Sequence, residues 1–193
     1  KRKQMNLDAP LYGVLTNKME VKAGDVYEMN GQIHPKIEPE IAFSISKELS
    51  GEVTRDEVIA ACDGVYAALE ILDSRYEHFK YFSMEDVIAD NSSSSQFILS
   101  KKNTNFDFSM IKDLKMKMLV DGDVAEEGNS SAISGDPVLS VIQLCELLAE
   151  RGQKLPAGSI VLAGAATTAV KLKSGINIEL QVDGFEAFGI SVK

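Results

Sequence analysis

Glu38 and Glu40 stand one residue apart inside the apolar segment HPKIEPEIAF, and a carboxylate pair in that setting limits what the chain can build around it. Read as a strand from Ile37 to Phe43, period two sets both acids on one face and Ile37, Pro39 and Ile41 on the other. Two like charges side by side resist burial. A proton, a basic partner or a metal cation must hold them, and a hard divalent ion meets the need most simply. Glu70, in the apolar run VYAALEIL, supplies a third carboxylate from another strand-like segment. Three carboxylates with three open positions suit an octahedral magnesium or manganese ion. The competing reading is a solvated sheet edge whose acids meet ordinary salt-bridge partners.

Composition bounds the function classes. A chain of 193 residues with 45% hydrophobic content can bury a full core as one domain. A net charge of −9 and a basic run confined to Lys1–Lys3 argue against a nucleic-acid or anionic-membrane partner, which needs a positive surface. No uninterrupted apolar stretch reaches the roughly 18 residues of a membrane span, so the cytoplasm is the default compartment. Cys62 and Cys145 lie in helix-like apolar surroundings and read as buried free thiols. His34 and His78 do not form a zinc pattern, which again favours a carboxylate site for a hard metal.

The punctuation of the sequence predicts many strands and few helices. LYGVL and VYEMN read as short strands, and the acid-bearing strand follows the turn GQIHPK and ends at Ser46. Thr54 and Glu57 form a capping box for a helix running through VIAACD, with Gly64 as its left-handed cap. Ser83 and Asp86 cap one helical turn in SMEDVIAD; the polar NSSSS then leads into the strand QFILS. MIKDLKMKMLVDGD predicts a strand that turns at Asp-Gly into a hairpin. Asp136 and Pro137 open the clearest helix, VLSVIQLCELLAE, which Gly152 stops. LPAGSIVLAGAATTAV, LKSGINIEL and FGISVK supply the closing strands. Because helices do not alternate with strands, a doubly wound parallel sheet is not expected, and no repeat or linker divides residues 1–193.

HPKIEPEIAF, ALEILDSRYEHFK, VIADNSSSS, the helix after GDPV, LPAGSIVLAGAATTAV and VDGFEAFGISV together resemble one family, in its order and at comparable spacings. It is the hydratase and decarboxylase family of catechol meta-cleavage pathways, within the fumarylacetoacetate hydrolase superfamily. The resemblance implies an α+β, strand-rich mixed fold, a distorted β-barrel-like roll with a few flanking helices. It also implies magnesium or manganese bound by Glu38, Glu40 and Glu70, a small-molecule 2-oxo acid substrate, and a homo-oligomer. Decarboxylase members remove carbon dioxide from an unsaturated 2-oxo dicarboxylic acid; hydratase members add water to the resulting 2-hydroxydienoate. LAGAATTAV and SRYEHFK look more like the decarboxylase wording, and for that activity the resemblance implies a complex with the partner hydratase. A noncatalytic, metal-stabilised subunit is the alternative from a different class.

Further site residues follow from matching motifs. Asp8, in LDAPLYG, matches an acid near the family's active site and is a proton-transfer candidate; the alternative is a turn cap. Ser93 matches a polar site residue of the hydratases, against a serine-rich loop that satisfies its own backbone. Lys36 shares the strand face of Glu38 and Glu40, where it would neutralise them or meet a substrate carboxylate. Arg75 is a bidentate carboxylate binder or a salt-bridge partner of Asp73 or Glu77. Asp90 is expected to orient or brace the site, and Thr167 to offer a hydroxyl among small neighbours. Two departures stand out. NSSSS replaces the family's alanine-containing version, and the family's glycine-flanked catalytic lysine, which lies upstream of KRKQMNLDAP, has no counterpart here, so an N-terminal segment of the parent protein is expected to be missing.

Overall fold

The computed structural model describes residues 10–193, and Asp8 lies outside them. The described residues form ten strands and three α-helices, without regular alternation of the two. In chain order the strands are β1 (Val26–Tyr27), β2 (Lys36–Ile45), β3 (Cys62–Leu72), β4 (Ser94–Leu99), β5 (Lys115–Val120), β6 (Asp123–Asn129), β7 (Ile160–Ala165), β8 (Val170–Lys171), β9 (Asn177–Val182) and β10 (Phe188–Val192). The α-helices are α1 (Arg55–Ala61), α2 (Met84–Ala89) and α3 (Pro137–Ala149).

One sheet runs β4-β3-β2-β7, with β8 also pairing β2; the other runs β1-β10-β9-β5-β6. The fold is therefore mixed α+β, as the sequence predicts, but the expected barrel-like roll is two open sheets rather than a closed barrel. Ile37, Ile41 and Phe43 of β2, with Leu69 and Ile71 of β3, share a core with Met116, Met118, Ile178, Leu180 and Ile190 of the second sheet. Ile37 and Ile71 are fully buried, so truncating either to alanine costs about 2–5 kcal/mol.

Local chemistry explains the elements. Asp121 and Gly122, both at positive φ, make the tight turn joining β5 to β6, and the predicted hairpin forms. The Asp136 side chain accepts from Val138 N and Pro137 occupies the first turn of α3. The Thr54–Glu57 box starts α1, and Ser83 accepts from Asp86 N at the start of α2. The segment Ser130–Ala149, which includes α3, is long and apolar enough by composition to cross a membrane, with mean hydropathy 1.4. Part of that apolarity is buried: Val138, Val141 and Cys145 lie in the core, while Leu144, Leu147 and Leu148 line a cavity.

Three local expectations are corrected. The α1 helix ends at Ala61, and Cys62 is already extended, so the chain passes directly into β3. Gly64 is thus a strand residue rather than a helix cap; a Cβ there would come within 2.6 Å of Lys102 Cε. Cys62 opens that strand half-buried, while Cys145 is the buried helical thiol expected, its pKa pushed up to about 11 by burial and by Glu146. LYGVL forms no strand, and VYEMN contributes only Val26–Tyr27.

Candidate metal centre

The antiparallel register of β2 on β3 brings the acids together. Glu38 lies directly opposite Glu70 and Glu40 opposite Ala68, so period two puts all three carboxylates on one face while Ile37, Pro39 and Ile41 face the core. Each carboxylate offers an oxygen within 4.8 Å of the others, and the residues are only 1%, 1% and 5% exposed. At that separation two unit charges repel by about 3.5 kcal/mol at an effective dielectric of ~20. The donor set consists entirely of hard oxygens, which suits magnesium or manganese far better than a thiolate- or imidazole-seeking metal.

Neighbouring groups aim the Glu70 and Glu40 carboxylates. Ser94, the first residue of β4, donates its hydroxyl to Glu70 Oε1 at 2.5 Å. Gly164 N donates to Glu40 Oε2 at 2.8 Å. That second contact depends on a bulge in β7 against β2: Glu40 pairs Ala165 whereas Ala42 pairs Leu162, so an extra residue turns an amide off the ladder. Gly164 has φ +113°, a conformation that side chains other than glycine rarely adopt.

Glu40, Glu70 and Ser94 line a cavity of about 960 Å³, near the top of the usual range for ligand pockets. Residues 10–15 form one wall of it. Asn91 pins that wall: its Nδ2 donates to Val14 O at 2.9 Å, and its Oδ1 accepts from Val14 N at 2.7 Å. Gly13 permits the approach, because a Cβ there would lie 2.7 Å from Asn91 Oδ1. This side-chain clamp, in place of a strand ladder, satisfies the backbone N–H and C=O of Val14.

Beside the acids lies a second polar cluster centred on Asp90, which is 2% exposed. Asp90 Oδ2 accepts from Ser74 Oγ at 3.0 Å, Tyr81 Oη at 2.7 Å and Ser93 Oγ at 3.1 Å, while Oδ1 faces Arg75 Nε at 2.7 Å. Burial pushes the Asp90 pKa up, but the Tyr81 hydroxyl, the Arg75 amide, Ser74 and the Arg75 charge together hold it below the ordinary carboxylate value. Burial raises the Tyr81 pKa, and Asp90 adds to the rise.

The predicted residues thus separate in the fold. Glu38, Glu40 and Glu70 converge. Ser93 faces Asp90 and Tyr81 and belongs to the brace, while its neighbour Ser94, which the sequence reading passed over, reaches Glu70. Arg75 pairs with Asp90 rather than with the Asp73 or Glu77 carboxylates, and its fork also meets the carbonyls of Asp73 and Ser94. Asp73 instead accepts from the amides of Ile33 and His34 ahead of β2. Lys36 sits with its ammonium 4.2 Å above the Phe79 ring. Thr167 donates to Thr168 O and lies against Gly128, and it is not among the residues that line the cavity.

Comparison with known proteins identifies the family. Residues 3–192 match the family described as fumarylacetoacetate (FAA) hydrolase C-terminal. A 4-oxalocrotonate decarboxylase from Pseudomonas sp. is 41% identical over 99% of this chain and 73% of its own length. A 2-hydroxyhexa-2,4-dienoate hydratase from Comamonas testosteroni is 33% identical over 93% and 69% respectively. Among solved structures, 4-oxalocrotonate decarboxylase from Pseudomonas putida G7, complexed with magnesium and adipate, superposes with a TM-score of 0.93 at 36% identity, covering 100% of this chain and 73% of the other.

Proposed function

The chain belongs to the fumarylacetoacetate hydrolase family, and from that premise we propose that it is a divalent-metal-dependent decarboxylase of 4-oxalocrotonate (2-oxo-3-hexenedioate). The observation that carries the reading is the buried trio Glu38, Glu40 and Glu70 with two of its members on a large cavity wall. These three would hold magnesium or manganese, which supplies Lewis acidity toward the 2-oxo acid end of a substrate. The relatives named as decarboxylases are nearer in identity than those named as hydratases, which favours carbon dioxide release over water addition.

The reaction breaks the bond between the distal carboxylate and its neighbouring carbon. The electron pair moves along the conjugated chain to the 2-oxo oxygen, giving carbon dioxide and 2-hydroxypenta-2,4-dienoate once that oxygen gains a proton. The protein's own groups set the stage. Glu38, Glu40 and Glu70 fix the anchoring point, Ser94 and Gly164 N hold the last two carboxylates in orientation, and the Asp90 cluster braces the turn that carries Ser94. Leu144, Leu147 and Leu148 make one side of the cavity apolar, which suits a departing carboxylate that must shed water.

The proposal extends to a cytoplasmic, homo-oligomeric enzyme that associates with its hydratase; exposed Val14, Leu139 and Ile160 offer apolar contact area. The test is to supply the purified protein with magnesium and either 2-oxo-3-hexenedioate or 2-hydroxypentadienoate, following carbon dioxide and loss of diene absorbance. Carbon dioxide from the diacid, abolished by Glu40→Gln, is expected. Water addition to the diene alone would make it a hydratase, and silence toward both with cation bound would leave the noncatalytic subunit.

A further inference from the structure

Asn91, Ser92 and Ser93 are three successive non-glycine residues in the left-handed region, with φ of 51°, 55° and 63°. Such a run is costly for side-chain-bearing residues, and it persists because its surroundings hold it: Asn91 is clamped to Val14 and Ser93 to Asp90. The coil sends neighbouring side chains different ways. Asn91 secures the cavity wall, Ser93 turns into the Asp90 cluster, and Ser94 reaches Glu70. Ser92 is left between them.

Ser92 is 6% exposed and lines the same cavity as Glu40, Glu70 and Ser94. Its hydroxyl has no hydrogen-bond partner among the described residues. Burying a hydroxyl unsatisfied is unfavourable, and here that cost is added to the strain of the backbone beneath it. A serine offers nothing to packing that alanine would not supply at lower cost. One step between staggered χ1 rotamers redirects the oxygen relative to the cavity its residue lines.

We propose that Ser92 is a substrate-binding residue, whose hydroxyl donates a hydrogen bond to a carboxylate oxygen of the 2-oxo acid in the cavity. The inference rests on the decarboxylase reading above and deepens it, adding a specificity contact from the protein itself to the anchoring carboxylates. A site whose buried hydroxyl lacks a protein partner favours a ligand that supplies one.

The test compares Ser92→Ala and Ser92→Gly with the wild type, each loaded with magnesium. Readouts are steady-state carbon dioxide release from 2-oxo-3-hexenedioate, calorimetric binding of adipate and of oxalate, and thermal melting. Both variants should bind the dicarboxylate probe roughly tenfold more weakly, about the 1.4 kcal/mol of one hydrogen bond to a charged group, with magnesium affinity unchanged. Neither should melt below the wild type, and Ser92→Gly should melt higher, because it relieves the left-handed strain and removes the unsatisfied hydroxyl. Weaker adipate binding alone places the contact at the distal carboxylate; loss with oxalate as well places it at the anchored end. Wild-type binding and turnover retained in both variants would overturn the role of Ser92 while leaving the decarboxylase reading intact. A wild type that neither binds these acids nor releases carbon dioxide would overturn both. A lowered melting temperature with unaltered affinity would make Ser92 purely structural.

Discussion

Glu38 and Glu70 stand directly opposite each other across the β2–β3 pair, two buried like charges in cross-strand register. Like charges directly opposite each other in a sheet repel, and a bound cation relieves that repulsion. Glu38→Gln should therefore melt higher than the wild type in the presence of a chelator, by the ~2–4 °C that corresponds to about 1 kcal/mol in a domain of this size. In magnesium at a hundred times its dissociation constant the order should invert, because the wild type gains about 2.7 kcal/mol from the ion. Thermal melts with and without chelator decide it; a variant that melts lower in both conditions would sink the account.

Ser94 orients Glu70 through a 2.5 Å hydrogen bond to Oε1, a charge-assisted contact to a candidate metal ligand. Removing such an outer contact typically costs 10- to 100-fold in metal affinity. Ser94→Ala should show a loss of about that size in a calorimetric magnesium titration, with its circular dichroism spectrum unchanged. Undiminished affinity would mean that Glu70 is held by its strand alone.

How much of this was legible beforehand divides along physical lines. The carboxylate face was readable because period two is a local property, and Glu38 and Glu40 carry it within ten residues. The cross-strand meeting with Glu70 could be suspected from residue type, but its register depends on pairing across thirty residues of intervening chain. Choosing among the four serines was beyond local reasoning. Whether Ser92, Ser93 or Ser94 reaches the site depends on successive positive φ values, which no periodicity announces, since serine is not a residue that favours them. The same holds for Gly64, where a left-handed cap and a tight strand contact look alike in sequence. Arg75 was a reasonable anion binder until the fold brought Asp90 to it from fifteen residues away.

Gly164 supplies the amide that bonds Glu40, and its φ of +113° demands glycine even though space does not: the nearest atom to an added Cβ is Ile133 Cγ2 at 3.9 Å. Gly164→Ala should therefore lose about 1–3 kcal/mol of stability through backbone strain, not through a clash. As the bulge relaxes, the amide should also leave Glu40, lowering magnesium affinity. Urea melts and magnesium titration measure the two effects separately; a stable variant with native affinity would show that the bulge tolerates a side chain.

Asp90 gives the pH dependence. Its carboxyl is held below the ordinary value despite burial, so the charged form is favoured in the folded protein. The stability this contributes is fully present above the unfolded-state pKa of about 3.9 and is lost as pH falls through the lowered folded value. Asp90→Asn removes the charge while keeping the shape, leaving Arg75 without its carboxylate and Tyr81, Ser74 and Ser93 with weaker partners. Because the Arg75 side chain is 48% exposed, water compensates it in part, and a loss of about 1–2 kcal/mol at neutral pH is expected rather than the larger cost of breaking a fully buried pair. The variant's stability should also vary less than that of the wild type as pH falls below about 5, where the unfolded-state carboxylate takes up a proton before the native one does. Urea unfolding across that range measures both slopes. Parallel acid limbs would show that Asp90 is not among the groups whose titration drives acid unfolding, and that the turn carrying Ser92 and Ser94 is held without it.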